Sequence, residues 1–302
     1  MPRWIAWTLL TLLTWGIWLI LFQRIGAEIS PAHSQAISTL GIIPILLALG
    51  WIHDAPSSGN RRRGVWLALG SGILSCLGNI ACYAALHQGK AATVIPLTAL
   101  YPVVTVLLAI PLLKEHLNRL QWTGIGVSLV AIYLFNVPAG MDEPTGVVNR
   151  WMLLPLAAIV LWGITGLMQK ASTNDISARL SAIWFLAAFV PVAVLILAYE
   201  PLPAGIALRT WAYALAMGFA LALGNLTILL AFSSGGKAAI IVPLAGLYPL
   251  VSIPIAIFAF GERLGWRESG GIVLALAAVV LLSLQSEPDA SSGATVETDT
   301  SS

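Results

Sequence analysis

The apolar positions of this chain fall in long blocks separated by short polar breaks. Ten blocks can be read, at about 4–22, 37–53, 65–86, 92–113, 121–137, 151–169, 180–199, 210–232, 238–260 and 267–285. Most can cross a hydrocarbon core of roughly 30 Å at about 1.5 Å per helical residue, and the second is near the lower limit. The blocks are continuously apolar rather than alternating, which predicts helices and not the strands of a barrel. Trp4 to Phe22 is too long for the core of a signal peptide, no A-x-A site follows it, and a similar block recurs from Leu154 to Gln169. It therefore reads as a retained span. The expected fold class is an all-α integral membrane protein with ten transmembrane helices. From Glu287 to Ser302 the chain is acidic and rich in Ser and Thr, and reads as a disordered tail.

Composition agrees with this pattern. Charged residues make up 9% of the chain and apolar ones 58%, against about 25% charged in a soluble domain. The net charge is +2 and the one basic run is Arg61–Arg63, which excludes the broad basic face that a nucleic-acid partner requires. Cys76 and Cys82 are six apart in one predicted helix; they point to different faces and read as small packing residues, not a disulfide. His33, His53, His87 and His116 sit at block ends without metal-ligand spacing. Neither a metal nor a cofactor is expected. With the N-terminus in the cytoplasm, nine basic residues fall in inner loops and six in outer ones. That bias places both termini in the cytoplasm of a cell-membrane protein. Trp4, Trp7, Trp51, Trp66, Trp122, Trp151, Trp211 and Trp266 lie near block ends as interfacial anchors. Trp15, Trp18, Trp162 and Trp184 lie deeper.

The two halves of the sequence match. Leu77-Gly78-Asn79 recurs as Leu223-Gly224-Asn225, Trp15-Gly16-Ile17 as Trp162-Gly163-Ile164, and Gly89-Lys90-Ala91-Ala92 as Gly236-Lys237-Ala238-Ala239. Pro96-Leu97 recurs as Pro243-Leu244, Leu100-Tyr101-Pro102 as Leu247-Tyr248-Pro249, and Glu115-x-Leu117 as Glu262-x-Leu264. Gly236 follows Gly89 by 147 residues, as Tyr248 follows Tyr101 and Glu262 follows Glu115, while Asn225 follows Asn79 by 146. Residues 1–140 thus form a first five-helix repeat, 141–150 an inter-repeat loop, and 151–286 a second repeat. Five is odd, so the second repeat enters the membrane from the opposite side. Such inverted repeats let an inward-facing conformation and its outward-facing twin have similar energies, as alternating access requires.

These duplicated motifs resemble the drug/metabolite transporter superfamily, EamA type. The resemblance covers about residues 1–286 and rests on the Trp-Gly pair in each first helix, the Pro-x-x-x-Leu-Tyr-Pro run of each fourth helix and the Glu-x-Leu that closes it. It implies a ten-helix exporter or permease of small metabolites with both termini cytoplasmic. The related small multidrug resistance proteins exchange protons on a carboxylate in the first helix. Leu9 to Ile20 here has none, so facilitated flux or exchange is expected.

Paired helix interruptions point to the substrate site of a transporter. Pro96 and Pro102, with Pro111, interrupt the fourth block; Pro243 and Pro249, with Pro254, interrupt the ninth. Each proline removes a donor and frees a carbonyl about a turn earlier. Asn79 and Asn225 are the most polar side chains well inside a block. They either clamp two helices or line the cavity. Trp15, Trp162, Tyr101 and Tyr248 complete an aromatic, mostly neutral pocket; Thr98, Trp18 and Tyr83 are weaker candidates. Glu115 and Glu262 close the broken helices and are expected to form interfacial salt bridges with Arg119, and with Arg263 or Arg267. Lys90 and Lys237 are expected to snorkel to headgroups. The functional expectation is a secondary transporter of a small organic metabolite, such as an amino acid or an aromatic or amphipathic compound. It would act as a monomer or homodimer among membrane lipids. The alternative is a polytopic enzyme acting on lipid or peptide, which would need His, Asp, Glu or a metal cluster at depth.

Overall fold

The computed structural model describes residues 2–51, 59–113, 118–135, 152–235, 237–262 and 264–284. Among them the chain is helical: α1 (Arg3–Ile25), α2 (Pro31–Trp51), α3 (Arg61–Gln88), α4 (Ala91–Thr98), α5 (Pro102–Leu113), α6 (Arg119–Phe135), α7 (Leu153–Asp175), α8 (Ala178–Ala187), α9 (Phe189–Tyr199), α10 (Leu208–Ser233), α11 (Ala238–Ala245), α12 (Pro249–Phe260) and α13 (Trp266–Ser283). Glu115, the inter-repeat loop 141–150 and the tail 287–302 lie outside the described residues.

The outer surface of the bundle is apolar, and polar side chains are buried within its largely apolar interior. Phe258, Trp51 and Val273 are exposed, while Gln35, Ser38, Thr98 and Ser181 are buried. Water would not tolerate that surface, and lipid requires it. Eight stretches of the described chain are long and apolar enough to cross a membrane. The shorter α6 and α13 pack against each other.

Three boundaries depart from the sequence pattern. First, α2 starts at Pro31, not near residue 37, because His33, Ser34 and Gln35 are buried and continue the helix. Second, the block at 180–199 is two helices, α8 and α9, meeting at Ala188. Pro191 stands in the first turn of α9, where its missing donor is harmless, and leaves the preceding turn short of a bond. Third, the fourth and ninth blocks are interrupted only at 99–101 and 246–248, immediately before Pro102 and Pro249. Pro96 and Pro243 do not interrupt; they lie within α4 and α11. At the breaks the ladder tightens to three-residue bonds. Leu100 N–H donates to Leu97 O at 3.1 Å and Tyr101 N–H to Thr98 O at 3.2 Å; in the second half Leu247 donates to Leu244 O and Tyr248 to Ala245 O, both at 3.2 Å.

Matching residues make matching contacts. α1 lies along α10 just as α3 lies along α7. A methyl group added to Gly16 would stand 2.6 Å from Val251 Cβ and 3.0 Å from Tyr248 O. One added to Gly163 would meet Val104 Cβ and stand 3.0 Å from Tyr101 O. The two breaks also meet, with Gly246 facing the Pro102 ring and the Ala99 carbonyl.

Candidate functional site

Where the breaks meet, the bundle holds a cavity of about 40 Å³. Its walls come from α1 (Trp15, Trp18), α3 (Ser75, Asn79), α7 (Trp162, Thr165, Gly166, Gln169), α10 (Leu221, Asn225, Ile228), Val242 of α11, and the break residues Tyr101 and Tyr248. Trp162, Thr165 and Gln169 share one face of α7 by their spacing of three and seven, as do Trp15 and Trp18 on α1. None of these lining residues is Asp, Glu, Lys, Arg or His.

The tyrosines are held reciprocally. Tyr101 Oη donates to Val242 O and Tyr248 Oη to Ile95 O, each at 3.4 Å. Val242 and Ile95 occupy matching repeat positions. Each break thus hangs on the other half's broken helix. Thr98 does not line the cavity. It lies behind Tyr248, whose hydroxyl it contacts at 3.2 Å while bonding its own helix carbonyls. Its repeat mate is Ala245, so this bond has no twin.

The asparagines break the symmetry further. Asn79 Oδ1 accepts from Trp162 Nε1 at 3.2 Å. The matching pair, Trp15 and Asn225, is apart: Asn225 Oδ1 accepts from Gln169 Nε2 at 3.1 Å, and Trp15 Nε1 is buried without a partner. Four rings meet around the cavity, with Trp15 and Trp162 packing edge-on against Tyr101 at 6.4 and 6.1 Å and Trp18 tilted against Trp162 at 5.7 Å.

The two ends of the bundle are also unlike. Let the proximal end be the one where α1 starts and the distal end the one where it finishes. Distally, an aromatic column fills the space between α1 and α3. Trp18 Nε1 donates to Tyr83 Oη at 2.7 Å, Tyr83 stacks on Phe22 at 4.3 Å, and Phe22 stacks on His87 at 5.4 Å. The repeat mates of Trp18, Phe22, Tyr83 and His87 are Thr165, Gln169, Leu229 and Ser233. These are smaller or polar, so the cavity reaches toward the proximal end between Gln169, Asn225, Ile228 and Val242.

The distal end is tied by carboxylates on helix N-termini. Glu262 accepts from Ala91 N–H at 2.9 Å and Ala92 N–H at 2.7 Å, capping α4. Of the two arginines expected to pair with Glu262, Arg267 lies over the Trp266 ring and Arg263 is outside the described residues. A carboxylate satisfies two orphan donors at the positive end of a helix dipole, which an exposed ion pair cannot match. Lys90 pairs with Glu268 at 3.2 Å instead of reaching only for headgroups. Glu28 accepts from Ala207 N–H at 2.6 Å and from the Thr210 hydroxyl at the start of α10. The Ala207 amide, then Thr210, hold the Glu28 carboxyl below its ordinary value of 4.5. At the proximal end Arg63 meets Asp175 at 3.6 Å, and Arg179 Nε donates to Leu49 O at 2.6 Å.

The sequence pattern of the EamA-like transporter family matches residues 2–137 and again residues 149–284. The chain belongs to this family. It is a multi-pass membrane protein of a family of small-molecule transporters. It is 39% identical over 70 residues to an uncharacterized protein of Methanocaldococcus jannaschii, MJ1333.1; the match covers 23% of this chain and 51% of that one. The chain thus spans about half the length of that curated relative. A crystal structure described only as that of a protein superimposes with a TM-score of 0.65 at 17% identity, over 91% of this chain and 94% of the other. The likeness extends to the fold.

In this member of the EamA-like transporter family six of the seven substrate-site candidates lie around one cavity: Trp15, Asn79, Tyr101, Trp162, Asn225 and Tyr248. Sequence reasoning missed Gln169, Thr165 and Ser75. Gln169 seemed to end its block, yet α7 runs six residues further, to Asp175. Aligning the repeats would have exposed it as the polar mate of Phe22. Trp184, the fourth deep tryptophan, is away from the cavity, in α8 near Arg61 and Arg62. Cys76 and Cys82 are buried, free thiols.

Proposed function

We propose that this chain is a secondary transporter that moves a small organic metabolite by alternating access. The proposed frame has ten spans in two inverted five-helix repeats, 1–140 and 151–286, with both termini cytoplasmic. The observation that carries this reading is the reciprocal hold of the two breaks, Tyr101 on Val242 and Tyr248 on Ile95. With α4–α5, α8–α9 and α11–α12 each counted as one crossing, the helices alternate between the two ends. The proximal end is then cytoplasmic.

The cavity is the proposed substrate site. At about 40 Å³ it has room for a few waters, well below the roughly 300–1,000 Å³ of small-molecule sites. The described state is therefore one with the site collapsed, and a substrate must part the halves to enter. Closure at the distal end is attributed to the aromatic column and the Glu262 cap; the Trp162–Asn79 bond holds the same side. In the twin state Trp15 would take Asn225 Oδ1 from Gln169 while Trp162 releases Asn79. No lining residue is a carboxylate, which supports flux without a carboxylate proton relay.

Flux into proteoliposomes loaded with the purified protein tests the reading. Saturable uptake of one compound from a panel of amino acids, nucleobases and aromatic acids is expected, unchanged in rate when a pH gradient is imposed. Absence of saturable flux for the whole panel would refute it.

A further inference from the structure

Trp184 and the Arg61–Arg62 pair take no part in the central cavity, yet they stand together. An open groove of about 560 Å³ runs between α3 and α8, lined by Arg61, Arg62, Val65, Trp66, Leu69 and Trp184. Its volume falls within the roughly 300–1,000 Å³ of small-molecule sites. The five α3 residues cover an arc of about 140° on one side of that helix, at about 100° per residue. A methyl group added to Gly72, one turn beyond Leu69, would run into Phe185 O and stand 2.7 Å from Ala188 Cβ. The two helices therefore touch at Gly72 and close the groove beside Trp184.

The groove is graded along its length. Its open end carries Arg61 and Arg62, both exposed, and among the described residues neither forms an ion pair. Arg63 beside them is different, since it meets Asp175 at 3.6 Å. No residue lining the groove is acidic. Toward the closed end the walls are Val65, Leu69 and Trp184, with Trp66 on the rim, 64% exposed. From Arg61 to Gly72 the helix rises about 16 Å at about 1.5 Å per residue, roughly half of a hydrocarbon core about 30 Å thick. The groove thus spans the depth of one leaflet, with its charge at the headgroup level and its apolar walls below. A soluble anion would use the arginines and leave the apolar end empty. A molecule with an anionic head and a hydrocarbon tail matches both ends.

We propose that this groove is a binding site for one anionic phospholipid. Arg61 and Arg62 hold the headgroup phosphate, and an acyl chain lies over Val65 and Leu69 toward Trp184. The site is separate from the proposed substrate cavity and does not depend on what that cavity carries.

Native mass spectrometry of the purified full-length protein, titrated with dioleoyl phosphatidylglycerol or dioleoyl phosphatidylcholine, tests this. The first phosphatidylglycerol is expected to bind at least fivefold tighter than the first phosphatidylcholine, and Arg61→Gln and Arg62→Gln should each cut that preference by about fivefold. Arg119→Gln, which removes an exposed arginine at the start of α6, should leave it unchanged. Leu69→Trp keeps both charges and fills the apolar end, and should weaken phosphatidylglycerol by at least fivefold. Neither inorganic phosphate nor glycerophosphoglycerol, the headgroup without chains, should displace the bound lipid at hundredfold excess. Equal binding of the two lipids overturns the proposal, as does a preference that both arginine variants leave intact. A loss in Arg119→Gln as large as in Arg61→Gln would assign the preference to general surface charge and also overturn it. Displacement by phosphate or by the bare headgroup would show a plain anion site, and an unaffected Leu69→Trp would remove the acyl chain from the groove; either result refutes the phospholipid reading.

Discussion

The Glu262 cap offers a direct test of how the distal end is held. Ala91 and Ala92 are fully buried, Lys90 gives no side-chain cap to α4, and both amides donate to Glu262 at 2.9 and 2.7 Å. Hydrogen bonds to charged groups contribute about 1.5–3 kcal/mol each. Glu262 is only half-buried, so water can reach the site once the side chain is removed, and the lower end applies. Glu262→Ala should therefore cost about 3 kcal/mol. Glu262→Gln, which keeps one acceptor oxygen and turns an NH₂ toward the second amide, should cost about half of that. Arg267→Ala should cost under about 0.5 kcal/mol, because Arg267 lies over Trp266 and not on the carboxylate. The assay is unfolding by SDS titration in mixed micelles, followed by tryptophan fluorescence. If Arg267→Ala matched Glu262→Ala, Glu262 would be acting as an ion-pair partner and the capping argument would be wrong. Equal losses in the Ala and Gln variants would also refute it, since the argument assigns value to each oxygen separately.

Three further outcomes are expected. Gly16→Ala and Gly163→Ala press a methyl group on Val251 and Val104 respectively; each should destabilise the protein by about 1–3 kcal/mol, and near-equal values in SDS titration would reflect the matched geometry, whereas an effect at one alone would contradict it. Tyr248→Phe removes contacts to both Ile95 O and Thr98 Oγ1, while Tyr101→Phe removes one to Val242 O; both should lower liposome flux with expression near the unmodified level, Tyr248→Phe more, and normal flux in both would show that these hydroxyls play no part in transport. Glu28 is held below its ordinary value by Ala207 and Thr210, so its charged form stabilises the loop before α2 above about pH 4.5, and this is lost as pH falls through the lowered value. Glu28→Gln should thus melt earlier than the unmodified protein at pH 7 and converge with it at lower pH; a gap that widened on acidification would contradict the sign.

The blocks of apolar residues determined that the chain is helical and membrane-embedded, because only internally bonded backbone survives in hydrocarbon and that requirement acts on every residue of a span. The duplicated motifs also determined which residues are equivalent, and so drew Trp15 with Trp162, Asn79 with Asn225 and Tyr101 with Tyr248. Local chemistry located the breaks only approximately: six prolines looked alike in sequence, and packing decided that Pro102 and Pro249 follow the interruptions while Pro96 and Pro243 ride inside helices. Other decisions belonged to the tertiary structure alone. Glu262 caps a helix 170 residues earlier in the chain, a partnership that no local spacing encodes. The unequal state of two equal pairs, with Trp162 bonded to Asn79 and Trp15 left without Asn225, is likewise a property of one conformation. Repeated sequence pairs the positions; side chains such as Gln169 and Phe22, unlike at matching positions, make the packing of the two halves unequal.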